Sequence, residues 1–145
     1  MSNIIDYKVI STELYAYKYR FDMIPPFIES INSYLKKGYT LHGNTKFNNT
    51  YSVTQVLIKY SKQYTSTHIN EYNLIYMAVE GSGSETVGAG PVVKFEKDVL
   101  DELNNEWSFY SDIQIHRIIQ SHRNEVHYMQ AFVKYKKSEV NPFDI

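Results

Sequence analysis

Cysteine is absent from this chain, which removes disulfides, zinc–thiolate centres and thiol nucleophiles and makes a reducing compartment the simplest setting. No run of about 18 apolar residues occurs, so the sequence carries no pattern for a membrane-spanning helix. Residues 1–10 lack the basic segment and apolar stretch of a secretory signal, and the expected location is the cytoplasm, the host's if the chain is viral. Arginine is confined to Arg20, Arg117 and Arg123. Basic and acidic residues nearly cancel, 15 against 16, and no long basic face collects, so duplex nucleic acid is not an expected partner. Glycine is also sparse, and four of the six glycines fall between Gly81 and Gly90. What the chain has instead is tyrosine, 14 residues of it, with much Ile, Asn and Lys. That bias suits AT-rich coding sequence of a phage, a virus or a low-GC bacterium and bears on origin, not chemistry.

The organising feature is internal repetition. Gln55-Val-Leu-Ile-Lys59-Tyr60-Ser-Lys62 and Gln130-Ala-Phe-Val-Lys134-Tyr135-Lys-Lys137 share Gln, an apolar triplet, Lys-Tyr and a final Lys in register. Upstream, Phe27 to Thr45 pairs with Phe95 to Ile113 at a separation of 68 residues, against 75 for the Gln strands, so seven residues are inserted in the second copy. A chain of 145 residues suffices for one ordinary domain, whereas half-size units would be marginal alone. The expected organisation is one domain made of repeat one (1–62), a linker (63–71), repeat two (72–137) and a tail (138–145).

Each repeat reads as βαββ. Asp6 to Ile10 is a short strand, and Leu14 to Phe21 alternates, with Tyr15, Tyr17 and Tyr19 as a cross-strand ladder. Pro25 and Pro26 open a helix over residues 26–37, Ile28, Ile31 and Leu35 recur at helical spacing, and Gly38 stops it. Thr40 to Phe47 and Thr50 to Tyr60 form a hairpin about Asn48-Asn49. In the second copy Tyr72 to Glu80 is a strand, and Phe95, Val99, Leu100 and Leu103 stripe a helix. Ser108 to Ile119 and Val126 to Tyr135 form a longer hairpin. The loop from Gly81 to Gly90 precedes a helix as phosphate loops do, but without Gly-Lys-Ser/Thr it reads as a connection, with a lid as the alternative. The residues from Asn141 to Ile145 read as a frayed tail. The expected fold is α+β: tandem βαββ repeats related by a pseudo-twofold, giving a six- or seven-stranded antiparallel sheet system with both helices on one face.

In this pattern the chain resembles small uncharacterised βαββ domains of bacterial and viral or phage hypothetical proteins, in which a helix ends in a Gly-aromatic step and the last strand reads Gln-Ala-hydrophobic-Val-Lys. The matching residues are Lys37-Gly38-Tyr39-Thr-Leu-His-Gly43 with Gln55 to Lys59, and Leu103-Asn-Asn-Glu-Trp107 with Gln130 to Lys134. The second copy lacks the glycine before Trp107, so a different helix exit is expected there. The resemblance implies a fold and brings no catalytic residues.

Centring the first hairpin on Asn48-Asn49 sets His42 opposite Gln55 and Asn44 opposite Val53. Leu41, Phe47, Val56, Ile58 and Tyr60 then form the face to bury, and Gln55 points away from the helices beside Lys59. By repetition Gln130 also points away, near Tyr110, Asp112, Tyr128, Phe132 and Lys134. Aromatic, amide and cationic groups together suit a flat polar ligand, a seam between halves or chains, or plain solvent. His116, Arg117, His122, Arg123 and His127 cluster at the second hairpin and suit a solvated tip, an anion contact or acid/base chemistry. Their spacing does not suit a metal, and no cofactor is expected. The function expected is therefore non-enzymatic binding of a small polar or nucleotide-like ligand or of a protein, as for a viral accessory factor. The alternatives are an enzyme of nucleotides or phosphoesters using the 116–127 cluster, and a self-assembling homo-oligomeric module.

Overall fold

In the computed structural model the described residues are 3–16, 18–19, 23–48, 52–62, 69–80, 89–120 and 123–135. The first half builds a three-stranded antiparallel sheet from β1 (Ile4–Glu13), β4 (Thr40–Asn48) and β5 (Ser52–Tyr60), in the order β1-β5-β4. Two short strands, β2 (Tyr15–Ala16) and β3 (Lys18–Tyr19), pair with each other in a separate sheet. Helix α1 (Ile24–Lys36) starts with two prolines in its first turn, where no main-chain donor is lost to the helix. Phe27, Ile31 and Leu35, four residues apart, are its buried stripe. Its exit needs a left-handed residue, and Gly38 supplies it at φ 94°. The amide of Tyr39 then reaches the Tyr34 carbonyl (3.1 Å), and the Tyr34 and Tyr39 rings meet edge to face at 5.1 Å.

The second half builds a matching sheet from β6 (Ile69–Glu80), β7 (Ser108–Gln120) and β8 (Arg123–Tyr135), in the order β6-β8-β7, with α2 (Ala89–Asn104) between β6 and β7. Local features recur at matched positions. The outer strand of each sheet is irregular near its start, between Ile4 and Asp6 in one and Ile69 and Glu71 in the other. Lys59 lies over the Tyr39 ring at 5.5 Å and Lys134 over the Trp107 ring at 4.7 Å. The exit of α2 is not different, as the missing glycine suggests, but the same: Trp107 N–H reaches the Glu102 carbonyl (3.2 Å), with Glu106 held at φ 70°. A non-glycine residue adopts this conformation at a cost the rest of the exit must offset.

Two expectations about the assembly are corrected. The strands form two three-stranded sheets rather than one system. The helices do not share a face, because α1 packs on the inner face of the first sheet and also along β6, whereas α2 packs on the far face of the second sheet. Asn32 of α1 shows the first contact, its amide donating to the Tyr72 carbonyl (3.0 Å) and accepting from the Tyr72 N–H (2.8 Å). Glu102 of α2 shows the second, bonded to Asn73 (3.0 Å), whose side chain points the opposite way from its neighbour Tyr72. One core results, joining Phe27, Ile31, Leu35, Val53 and Leu57 to Tyr72, Leu74, Met129 and Val133.

Boundaries differ locally as well. β6 begins at Ile69, inside the expected linker, and α2 at Ala89, inside the expected glycine loop, with Pro91 in its first turn. The rest of that loop, 81–88, lies outside the described residues, as do Tyr17, Asn49 and the tail. β7 and β8 run 13 residues each against 9 for β4 and β5, so the second hairpin is the longer.

Candidate functional site

The register of β4 decides where the first glutamine goes. Leu41 faces Leu57 and His42 faces Val56, but Phe47 faces Val53, so Gly43, Asn44 and Thr45 together oppose Gln55. Hence His42 is not opposite Gln55, nor Asn44 opposite Val53. The register at the turn, with Asn48 facing Ser52 and Phe47 facing Val53, sets Leu41 and Phe47 on the same face as Val53, Gln55 and Leu57; the bulge adds two residues and keeps that alternation, and this face lies under α1. Gln55 is 0% exposed. Its Nε2 donates to the carbonyls of Gly43 (3.1 Å) and Val56 (2.9 Å), and its Oε1 accepts from the Thr45 hydroxyl (2.6 Å). Tyr72 completes the chain, its hydroxyl 2.7 Å from that of Thr45. Burial pushes the Tyr72 phenol well above its ordinary range.

Gln130 repeats the arrangement. Ser111, Asp112 and Ile113 oppose it in a bulge of β7, and its Nε2 donates to the carbonyls of Ser111 (3.0 Å) and Ala131 (3.1 Å). Gly43 at φ 72° and Ser111 at φ 64° are the left-handed residues of the two bulges. Both glutamines thus pin an irregular main chain from beneath a helix, against the expectation that they look outward. The physical reason is that a buried bulge frees carbonyls that leave the ladder and must find donors.

The expected ligand residues are therefore not brought onto one face. His42 and Asn44 are exposed at the first bulge, and Asp112 is exposed at the second. Lys59 and Lys134 are half-buried over their aromatic rings, and Tyr128 is half-buried against Phe95. Tyr110 crosses between the sheets, its hydroxyl donating to the Gly43 carbonyl (2.6 Å).

The histidine cluster is also divided. His127 is buried, its Nε2 2.9 Å from the Glu125 carboxylate and its Nδ1 bonded to the Tyr76 hydroxyl. Phe47 stacks on His116 (5.4 Å) and meets His127 edge-on (6.3 Å). Arg117 is exposed, Arg123 opens β8, and His122 lies outside the described residues. Glu125, His127 and Tyr76 have the composition of an acid/base relay, but both imidazole nitrogens are engaged and the ring is covered. The bond from His127 to Tyr76 ties β8 to β6, so the trio braces the second sheet. Among the described residues no group of three or more His, Cys, Asp or Glu could hold a metal.

Sequence reasoning passed over two apolar surfaces. On the outer face of the first sheet, Ile5 (60% exposed), Tyr7 (57%) and Val9 (55%) lie in a row on β1. A groove of about 470 Å³ runs from Tyr7 and Val9 across Val56 to His42 and Gly43. At the other end, α2 and the far face of the second sheet leave a groove of about 520 Å³ lined by Phe95, Val99, Leu100, Phe109, Ile113 and Gln130. Leu100 and Phe109 are more than half exposed there. The signal for the first was the alternation of β1, whose Ile5, Tyr7 and Val9 fall on one side. Comparison with protein-family models, curated proteins and solved structures finds no match to the chain, and among the described residues no helix is long and apolar enough to cross a membrane.

Proposed function

We propose that this chain is a non-enzymatic interaction protein, a duplicated βαββ unit that binds protein through the outer face of β1 and β5. The observation that carries the reading is the exposure of Ile5, Tyr7 and Val9 in one row. Contiguous apolar area on a protein surface marks a contact rather than a solvated wall. Duplication is supported by the matched strand orders, bulges, helix exits and lysine–aromatic pairs of the two halves. A protein, not a small polar ligand, is the occupant favoured, because the amide donors of Gln55 and Gln130 are committed to the main chain.

The test places a photoreactive benzophenone amino acid at position 7 in the full chain and, as a control, at exposed Lys36. Illumination in cells is expected to give a discrete protein adduct from position 7, lost when Val9→Lys is added. Adducts that are absent, or identical from both positions, would remove the proposal.

A further inference from the structure

We infer that the partner is a second copy of this chain, bound head to tail so that β1 of one copy docks in the α2 groove of the next. The inference rests on the proposed interaction surface and names its occupant. Within the chain, the second sheet closes the first half by inserting Tyr72 beneath and beside α1. Tyr72 meets the Phe27 ring (6.4 Å), the Asn32 amide (2.8 and 3.0 Å) and the Thr45 hydroxyl (2.7 Å). The repeat spacing of 68 residues converts Phe27, Asn32 and Thr45 into Phe95, Leu100 and Ile113. All three line the open groove of the second half. The counterpart of Tyr72, at the spacing of 65 shared by the irregularities near Ile4 and Ile69, is Tyr7. Tyr7 is exposed on the opposite end of the molecule.

The rest of the contact translates as well. Leu74, Ala131 and Val133, which are buried in the joint core, correspond to Val9, Val56 and Ile58. Val9 is exposed and Val56 half-buried, whereas Ile58 is already buried within the chain, and Tyr76 and Met129 correspond to Ser11 and Thr54. Tyr110, the cross-sheet donor to Gly43, corresponds to His42, which is exposed. Gly43 corresponds to Ser111, whose carbonyl accepts from Gln130 as that of Gly43 accepts from Gln55. In the assembly the His42 imidazole of one copy reaches the Ser111 carbonyl of the next. Asn32 and Thr45 become Leu100 and Ile113, so the helix side of the contact between copies is more apolar than the one within a copy, while on the sheet side Tyr76 and Met129 become Ser11 and Thr54. A joint between unlike faces is heterologous and propagates into a ring or an open filament instead of closing as a symmetric dimer.

Light scattering and sedimentation of the purified full chain over a range of concentrations test this, with Val9→Lys on the sheet face and Leu100→Lys on the helix face. Both sites are exposed, and a thermal melt confirms that each variant folds. The wild type is expected to exceed a dimer in mass, and each variant alone to be monomeric. An equimolar mixture of the two variants is expected to recover a 1:1 heterodimer, because one intact face of each kind remains. A wild type that stays monomeric, or Leu100→Lys that assembles while Val9→Lys does not, would overturn the head-to-tail joint. Should position 7 still crosslink to a different protein, the interaction surface survives and the self-assembly falls; with no adduct at all, both fall.

Discussion

At the scale of single residues, Gln55 shows how a polar side chain can be a core residue. A glutamine in an alternating strand reads as solvent-facing, and a one-residue slip of register reverses every side chain of a strand. The hairpin register makes such a reversal at its turn, where Asn48 faces Ser52, so Leu41 and Phe47 are legible as core whereas Gln55 reads as facing the wrong side. Replacing it tests the staple. Gln55→Leu keeps the size but leaves the Gly43 carbonyl and Thr45 hydroxyl short of a partner, and a loss of about 2 kcal/mol in urea unfolding is expected; an unchanged midpoint would refute the staple. A second residue pair sets a pH response. The Tyr39 hydroxyl donates to the Asp6 carboxylate, which lowers the Asp6 pKa from its ordinary 3.8 and pushes Tyr39 from 10.0 up to about 12. For Asp6 the ionised form is favoured on folding, so its contribution is present above 3.8 and lost as pH falls through the lower folded value. For Tyr39 the protonated form is favoured, so the contribution is present below 10.0 and lost as pH rises through about 12. The gap in melting temperature between wild type and Tyr39→Phe is expected to be level between these windows and to narrow on both flanks. A gap that ignores pH would show that the bond does not contribute.

At the scale of elements, the helix exits separate what sequence pattern reveals from what it hides. Gly38 announces its turn because glycine alone occupies the left-handed region freely. Glu106 sits in the same turn unannounced, and only the equivalence of Tyr39 with Trp107 could have exposed it. The α2 exit thus makes with a side chain the turn that α1 makes with glycine. Glu106→Gly is expected to raise stability by up to about 1 kcal/mol, the left-handed penalty of a side chain. Equilibrium denaturation reads the gain, and a loss would mean that the Glu106 side chain outweighs its backbone. Most element types were legible, since helical stripes, alternation and turn residues are local signals, but the alternating stretch from Leu14 holds two short strands paired with each other, Tyr15 facing Tyr19, rather than one. The placement of α1 along β6 was not, because it depends on the Asn32 amide meeting one strand edge 40 residues away.

At the scale of the whole molecule, the joint core decides whether the halves are separable. Two free-standing repeats would each bury too little surface to be stable, and here Tyr72, Leu74 and Met129 of the second half finish the core that Ile31 and Leu57 of the first begin. Unfolding is therefore expected to be one transition. The only tryptophan, Trp107, belongs to the second half and stacks under Lys134 of the same sheet, so its fluorescence reports on that half alone. Leu57→Ala, a cavity at a 0% exposed site in the first half, is expected to cost about 3 kcal/mol. If the core is shared, the Trp107 midpoint falls by the same amount as the far-ultraviolet circular dichroism midpoint. If the halves unfold independently, Trp107 keeps its wild-type midpoint while the dichroism splits into two steps. That second result would also remove the basis for head-to-tail assembly, since a joint too weak to couple two halves of one chain could not hold two chains together.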